Sequence, residues 1–379
     1  MTQPTQATEI QGKESAIKPL LRGLAYFVIQ LLIVFTILEA GIRIFMPQVL
    51  HHDVPALWEP NEDFGWVRRP GQRLTANTGE RDVLICTDEK GDRVLCEENQ
   101  PRECQKRILV VGDSFVEALA IPFEETAWSI LERKTGACLD VSGIGGYRPS
   151  QYLKTIESRL ESAPEYDAII LSVYTNDFDP AALEIPPPKT VQSAGPTRIF
   201  PSGLSLRALR QWFYPYNQAL ESNSHAYVAL RFLVRNLRDP GDVGIYGVPS
   251  VLLKSQISKE TIQNLVVAYT ELHKSLNQRG ISLLISVLPF RNQVLDPSGE
   301  KLKTALPAIA DDIHMGFIKE LFIDPLSQVE GLVTVDLFPG LLEKAGVEHW
   351  GSQDRHLSPR GHALWAELLL PAVEKILAR

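Results

Sequence analysis

A serine, a histidine and an aspartate set in the right turns can carry out acyl transfer, and this 379-residue chain offers all three. Gly112-Asp113-Ser114-Phe115-Val116 follows directly on the apolar run Ile108-Leu109-Val110-Val111. A short buried strand that breaks into a tight polar turn presents a side chain at the carboxyl end of a sheet, where open α/β folds bind ligands. Ser114 stands there as candidate nucleophile, with Gly112 permitting the sharp exit and Asp113 suiting the turn. A serine that only caps the following helix is the plainer alternative. A hydroxyl needs a base, and the base needs a group that fixes its tautomer. His356, just before the last expected helix, is the candidate base, and Asp354 the candidate orienter. Asp311-Asp312-Ile313-His314 competes with an Asp-x-x-His spacing, but it falls inside an expected helix from Ala310 to Phe322, ahead of the last strand. His349 is a minor third candidate.

An acyl-transfer site must also stabilise an oxyanion. Ser114 can offer its own N–H, and Gly146 a backbone N–H from the glycine-rich loop Ser142 to Tyr147, with Gly145 a near alternative. Asn176, in Tyr174-Thr175-Asn176-Asp177, can offer its amide. Taken singly, Gly146 and Asn176 are ordinary turn residues.

The elements that must position these groups alternate from Lys106 onward. Strands are expected at Arg107 to Val111, Leu139 to Val141, Asp167 to Val173, Ile281 to Leu288 and Leu332 to Leu337, with amphipathic helices between them. The pattern specifies an α/β fold, a flavodoxin-like parallel five-stranded sheet with helices on both faces. If the strands are all parallel, Ser114, Gly146, Asn176 and His356 share one sheet edge. Ser358 and Pro359 open the final helix, and Pro371 should kink or end it early. From about 179 to 254 the alternation fails, which marks a mainly helical insertion. Leu230, Leu233, Val234 and Leu237 set an amphipathic helix within it, ended by Asp239-Pro240-Gly241. Its Trp212-Phe213-Tyr214-Pro215-Tyr216 cluster reads as the insertion's own core, with a platform for a sugar ring as the alternative.

The amino-terminal part differs. Leu24 to Leu38 carries no charge, and the apolar run continues to Met46 with only Glu39 and Arg43 as interruptions. At a helical rise of about 1.5 Å per residue it reaches roughly 34 Å, enough to cross a bilayer core. Glu39 and Arg43 stand four apart and can pair on one helix face. Lys13, Lys18 and Arg22 precede the run, so the amino terminus is expected inside and the remainder outside. The resulting organisation is a cytoplasmic tail (1–22), a transmembrane anchor (23–46), an extracytoplasmic connector (47–105) and the α/β domain (106–379). A cleaved signal peptide, with Glu39-Ala40-Gly41 as a weak cleavage site, is the competing reading. The connector's Trp58, Phe64, Trp66 and Pro70-Gly71 suggest a segment docked on the main domain.

The four cysteines suit an exported chain. Of the three possible pairings, Cys86 with Cys96 and Cys104 with Cys138 is favoured; zinc binding is weaker, because no Cys-x-x-Cys or neighbouring histidine completes a site. A net charge of −8 and the lack of any long basic run exclude nucleic acid as a partner. No metal or cofactor is expected.

Ser114 in Gly-Asp-Ser-Phe after the first strand, Gly146 after the second, Asn176 in Thr-Asn-Asp after the third, and Asp354 and His356 before the last helix together resemble the SGNH, or GDSL-type, hydrolases. The resemblance runs from Lys106 to the carboxyl end apart from the insertion, and the amino-terminal layout is similar to membrane-anchored bacterial members. It implies Ser114 as nucleophile and first oxyanion donor, Gly146 and Asn176 as the other donors, His356 as general base and Asp354 as its orienter. Three departures stand out: Phe115 for the usual Leu, Thr175-Asn176 for Gly-Asn, and Asp-x-His for Asp-x-x-His. The implied function is a membrane-anchored serine esterase removing O-acyl groups, acetyl foremost, from an extracytoplasmic glycan or small ester. An O-acyltransferase with the same triad and a non-catalytic glycan-binding or assembly protein are the alternatives.

Overall fold

The computed structural model describes residues 6–48, 50, 57–97, 104–162, 165–179, 181–186, 216, 219–220, 222–238, 252–352 and 354–379. Trp212 to Pro215 and Asp239-Pro240-Gly241 lie outside the described residues. The chain divides into two compact units, Met1–Leu50 with Gly203–Arg238, and His51–Ser202 with Asp239–Arg379.

In the first unit a single helix runs over Gln6–Phe45. Its segment Ala25–Phe45 is long and apolar enough to cross a membrane, with a mean hydropathy of 2.1. The Glu39–Arg43 ion pair forms at 3.4 Å. The unit's other long element is the helix His225–Arg238, the amphipathic helix expected from Leu230, Leu233 and Val234.

The second unit begins with the connector, which holds more strand than its short apolar runs suggested. β1 (Trp58–Asn61) and β2 (Gly65–Arg68) form an antiparallel hairpin. β3 (Arg73–Asn77), β4 (Asp82–Thr87) and β5 (Arg93–Val94) form an antiparallel sheet. Disulfides join Cys86 to Cys96 and Cys104 to Cys138.

The main sheet follows, with β6 (Arg107–Gly112), β7 (Cys138–Gly143), β8 (Ala168–Tyr174), β9 (Ser282–Leu288) and β10 (Val333–Asp336). All pairings are parallel and the spatial order is β10-β9-β8-β6-β7. This is the doubly wound order whose switch point lies between its first and third strands, β6 and β8, the place where such sheets bind ligands. Successive residues alternate between faces. Ile108 and Val110 pack with Trp128, Leu131, Trp365 and Val373, whereas Leu109 and Val111 pack with Tyr152, Ile156, Leu265 and Tyr269. Both faces are therefore covered, and the strands read as unbroken apolar runs for that reason.

Two local expectations fail. The stretch Ala310 to Phe322 is not one helix: a 3₁₀ turn spans Pro307–Asp312, Ile313 bridges Leu253, and the next helical segment comes only after His314. The Asp312 carboxylate accepts from Ser255 N–H and Oγ–H, and His314 N–H donates to Leu252 O, so cross-chain bonds replace the helical ones. Pro371 neither ends nor shortens the last helix, which runs Pro359–Leu377. Buried Leu369, Val373 and Ile376 hold it on both sides of the missing hydrogen bond.

Candidate active site

β6 ends at Gly112, and the chain turns at once into the short helix Ser114–Glu117. The turn is tight because the helix packs directly on the strand ends. A Cβ on Gly112 would lie 2.4 Å from Val116 Cγ2, and one on Gly143 would lie 2.5 Å from Val116 Cβ, so neither position admits a side chain without displacement. The Asp113 carboxylate accepts from Phe115 N–H at 3.0 Å, fixing the entry to the helix. Ala118, in the left-handed region, closes it with its N–H on Ser114 O.

Ser114 Oγ lies 2.8 Å from His356 Nε2. Asp354 Oδ1 takes both His356 N–H, at 2.9 Å, and His356 Nδ1. With Nδ1–H directed at the carboxylate, Nε2 faces the serine as an acceptor. Arg355 lies in the left-handed region at φ 66. That conformation folds the short Asp-x-His segment tightly enough for one carboxylate oxygen to reach both the backbone N–H and the ring Nδ1 of the same histidine. The structure thus brings Ser114, His356 and Asp354 together. His314 instead packs on Phe317, and His349 Nδ1 accepts from Gly346 N–H.

The electrostatics follow from this contact. Burial disfavours the imidazolium of His356, but the hydrogen bond and charge of Asp354 outweigh it and hold the His356 pKa above its ordinary value. Burial pushes Asp354 in the other direction, yet the bond to His356 and its charge keep the carboxyl below its usual range. The Phe115 ring lies 4.6 Å from the imidazole and 4.0 Å from Tyr174, an apolar support beneath the base. His362, six residues along, is buried with its pKa pushed down to about 3, and its Nδ1 accepts from Ala127 N–H.

The candidate oxyanion donors differ in how they are held. Gly146 sits at an exposed turn with φ 77. Gly145 N–H is committed to Glu117 Oε2 at 2.8 Å, so Gly146 is the better donor of the two. Asn176 is exposed at the end of β8 and donates one amide hydrogen to Asp113 Oδ2 at 3.1 Å, which leaves the second for a substrate oxygen. Beneath it, buried Asp177 accepts from Tyr174 N–H and Tyr152 O–H, and burial pushes its pKa well up. Burial pushes Asp113 up as well, despite its bonds from Phe115 and Asn176.

Glu117, Arg68, Arg93 and Glu80 support the site without having been singled out from the sequence, whereas Trp58 and Trp66 belong to the segment expected to dock on this domain. Glu117, three places after the serine, is buried and accepts from Trp58 Nε1 at 3.2 Å and from Arg68, whose Nη2 also donates to Gly143 O. Arg93 donates to Glu117 O and Ala118 O, at the end of the nucleophile helix, and to Ile121 O beyond it. Glu80, between β3 and β4, accepts from Asp354 N–H at 2.9 Å and from Ser352 Oγ at 3.0 Å. Trp66 Nε1 donates to Gly145 O, and Tyr147 O–H returns to Trp66 O at 2.7 Å. The available signals were the Glu at the fourth position of Ser-Phe-Val-Glu and the arginines flanking brief apolar runs of the connector, neither of which has a periodicity to read.

No family model matches the chain, and no curated protein matches it. Among solved structures it is similar to the lipase/acylhydrolase from Enterococcus faecalis, at 12% identity and TM-score 0.38, covering 72% of this chain and 96% of that one. It is similar also to a member of the lipolytic protein G-D-S-L family from Veillonella parvula, at 12% identity and TM-score 0.33, covering 70% and 97%. A carbohydrate esterase family 2 enzyme from Corynascus thermopiles (Myceliophthora fergusii) gives 12% identity and TM-score 0.38, covering 74% of this chain and 69% of that one.

Proposed function

We propose that the chain is a serine esterase in which Ser114 is the nucleophile, His356 the general base and acid, and Asp354 the residue that orients the imidazole. The observation that carries this reading is the continuous hydrogen-bonded line from Ser114 Oγ through both ring nitrogens of His356 to Asp354. Neutral His356 takes the hydroxyl proton through Nε2 as Oγ attacks the acyl carbon. The tetrahedral oxyanion is held by the N–H groups of Ser114 and Gly146 and by the Asn176 amide. His356 then gives its proton to the departing alcohol, leaving an acyl group on Ser114, and a water activated in the same way releases it. The bond broken is the acyl carbon to alcohol oxygen bond, and no redox partner is required.

The substrate we assign is an O-acyl, foremost O-acetyl, group on a glycan outside the cytoplasmic membrane. Its support is the resemblance of the four site segments to SGNH hydrolases, together with the apolar helix Ala25–Phe45 and the two disulfides, which suit a chain anchored in a membrane and facing an oxidising compartment. The test is release of acetate from acetylated polysaccharide, and of nitrophenol from a nitrophenyl acetate, by the full chain in detergent. Ser114→Ala is expected to lower turnover on the order of 10⁴-fold or more. Undiminished turnover in that variant would remove Ser114 from the reaction.

A further inference from the structure

The helix His225–Arg238 leaves an apolar edge uncovered. Leu230 is 58% exposed, Leu233 54% and Val234 40%, at the i, i+3, i+4 spacing of one helix face, and Leu237 continues the stripe by position. Arg231, Arg235 and Arg238 fall at i, i+4 and i+7 along the flank of that stripe, and the helix sequence contains no acidic residue. A buried amphipathic helix would hide its leucines, whereas a solvent-facing one would mix its charges. A cationic flank beside an open apolar edge is the composition of a helix that lies in a lipid–water interface.

Its placement points the same way. The Glu39 carboxylate accepts from Ser224 Oγ at 2.9 Å, His225 N–H at 3.0 Å and Ala226 N–H at 2.8 Å, so it caps the start of this helix from within the long apolar one. Arg43 donates to Asn223 O at 3.1 Å, and Gln48 N–H donates to His225 Nδ1 at 2.9 Å. The start of the amphipathic helix is thus tied along Glu39 to Gln48, the outer end of the apolar segment. Glu39 lies six residues before Phe45, about 9 Å along a helix axis, which is the depth at which interfacial helices bury their apolar faces, roughly 5–10 Å. The same contacts explain how Glu39 is accommodated in an apolar run: helical N–H groups and Arg43 neutralise it.

We propose that His225–Arg238 is an interfacial helix, with Leu230, Leu233 and Val234 in the acyl boundary of the outer leaflet and its arginine-bearing flank toward anionic phospholipid headgroups. The apolar segment Ala25–Phe45 and this helix belong to one compact unit, and the arginine positions complement the lipid charge. The inference rests on the reading of Ala25–Phe45 as a membrane span.

The experiment uses the full chain in vesicles of phosphatidylcholine with a minority of phosphatidylglycerol, prepared separately with nitroxide lipids labelled at shallow and at central acyl depth. All four native cysteines are disulfide-bonded, so a substituted cysteine is the single site for an environment-sensitive fluorophore. Three variants are labelled separately: Leu233→Cys, Phe35→Cys in the apolar helix, and the exposed Glu271→Cys as an aqueous reference. The expected result is loss of emission at Leu233 with the shallow nitroxide comparable with that at Phe35 with the central one, with Glu271 unaffected by either. Quenching at Phe35 but not at Leu233 would overturn the interfacial helix and leave the anchor standing. A blue-shifted but unquenched Leu233 would assign the edge to a protein neighbour and overturn the proposal equally. Absence of quenching at Phe35 would defeat the anchor itself and, with it, the interfacial helix that rests on it.

Discussion

At His356 two influences oppose each other, burial against the imidazolium and Asp354 in favour of it, and the second prevails. The proposed reaction needs neutral imidazole, so activity should be lost as pH falls through the raised His356 pKa, and the acid limb should lie above the unperturbed value of about 6.5. Asp354, held below the usual carboxyl range, stays ionised throughout that window. Asp354→Asn removes the charge and the tautomer control together. It should move the acid limb of kcat to lower pH and lower kcat on the order of 10³–10⁴-fold. An unchanged limb would detach Asp354 from the base. The sequence made the identities of these residues legible but not their contact. The Asp-x-His spacing departs from the more usual one, and what reconciles it is the left-handed conformation of Arg355, a state that no residue type predicts outside Gly, Asn and Asp.

At the scale of elements, the connector does more than span distance, because it grips both halves of the candidate site through different kinds of contact. Arg68 and Glu117 form a buried pair, with side chains 1% and 2% exposed, that joins β2 to the nucleophile helix. Arg68→Ala leaves the Glu117 charge without its ion-pair partner, and such losses cost about 3–5 kcal/mol; urea unfolding should register it. Glu80 instead holds the loop that carries Asp354. Glu80→Ala should leave stability and KM nearly unchanged while kcat falls roughly 10–100-fold through misplacement of Asp354 and His356. Equal losses of stability in the two variants would deny Glu80 a positioning role. The strands of the main sheet were readable because both faces are buried and their apolar runs are continuous. The connector strands were not, since they are two to six residues long and Arg68 and Arg93 within them are buried on contacts to another part of the chain instead of extending an apolar run. Ala310 to Phe322 misled for a related reason: its apolar spacing suits a helix, but Asp312 and Ile313 find partners in the 252–255 segment instead.

For the molecule as a whole, the two disulfides act on the same grip at different ranges. Cys86–Cys96 closes a loop of sequence separation 10 inside the connector sheet, whereas Cys104–Cys138 spans 34 and ties the connector's end to the start of β7. Constraint of the unfolded chain grows with the logarithm of loop length, which gives about 3 kcal/mol for the shorter link and about 4 kcal/mol for the longer. Replacing Cys104 and Cys138 together by Ser should therefore lower the urea midpoint more than replacing Cys86 and Cys96. The catalytic consequences should run in the opposite order. Arg93, which caps the nucleophile helix, and Cys96 stand two and five residues beyond Gly91, whose carbonyl accepts from Arg68 at 2.9 Å. The short loop thus borders the residues that hold Ser114, while the β6–β7 pairing, with Cys138 N–H on Lys106 O, already fixes the longer link's surroundings. Loss of Cys86–Cys96 should accordingly lower ester turnover of the folded protein more than loss of Cys104–Cys138, measured well below either unfolding midpoint. If turnover instead tracks stability across the two variants, the connector serves only to stabilise the domain.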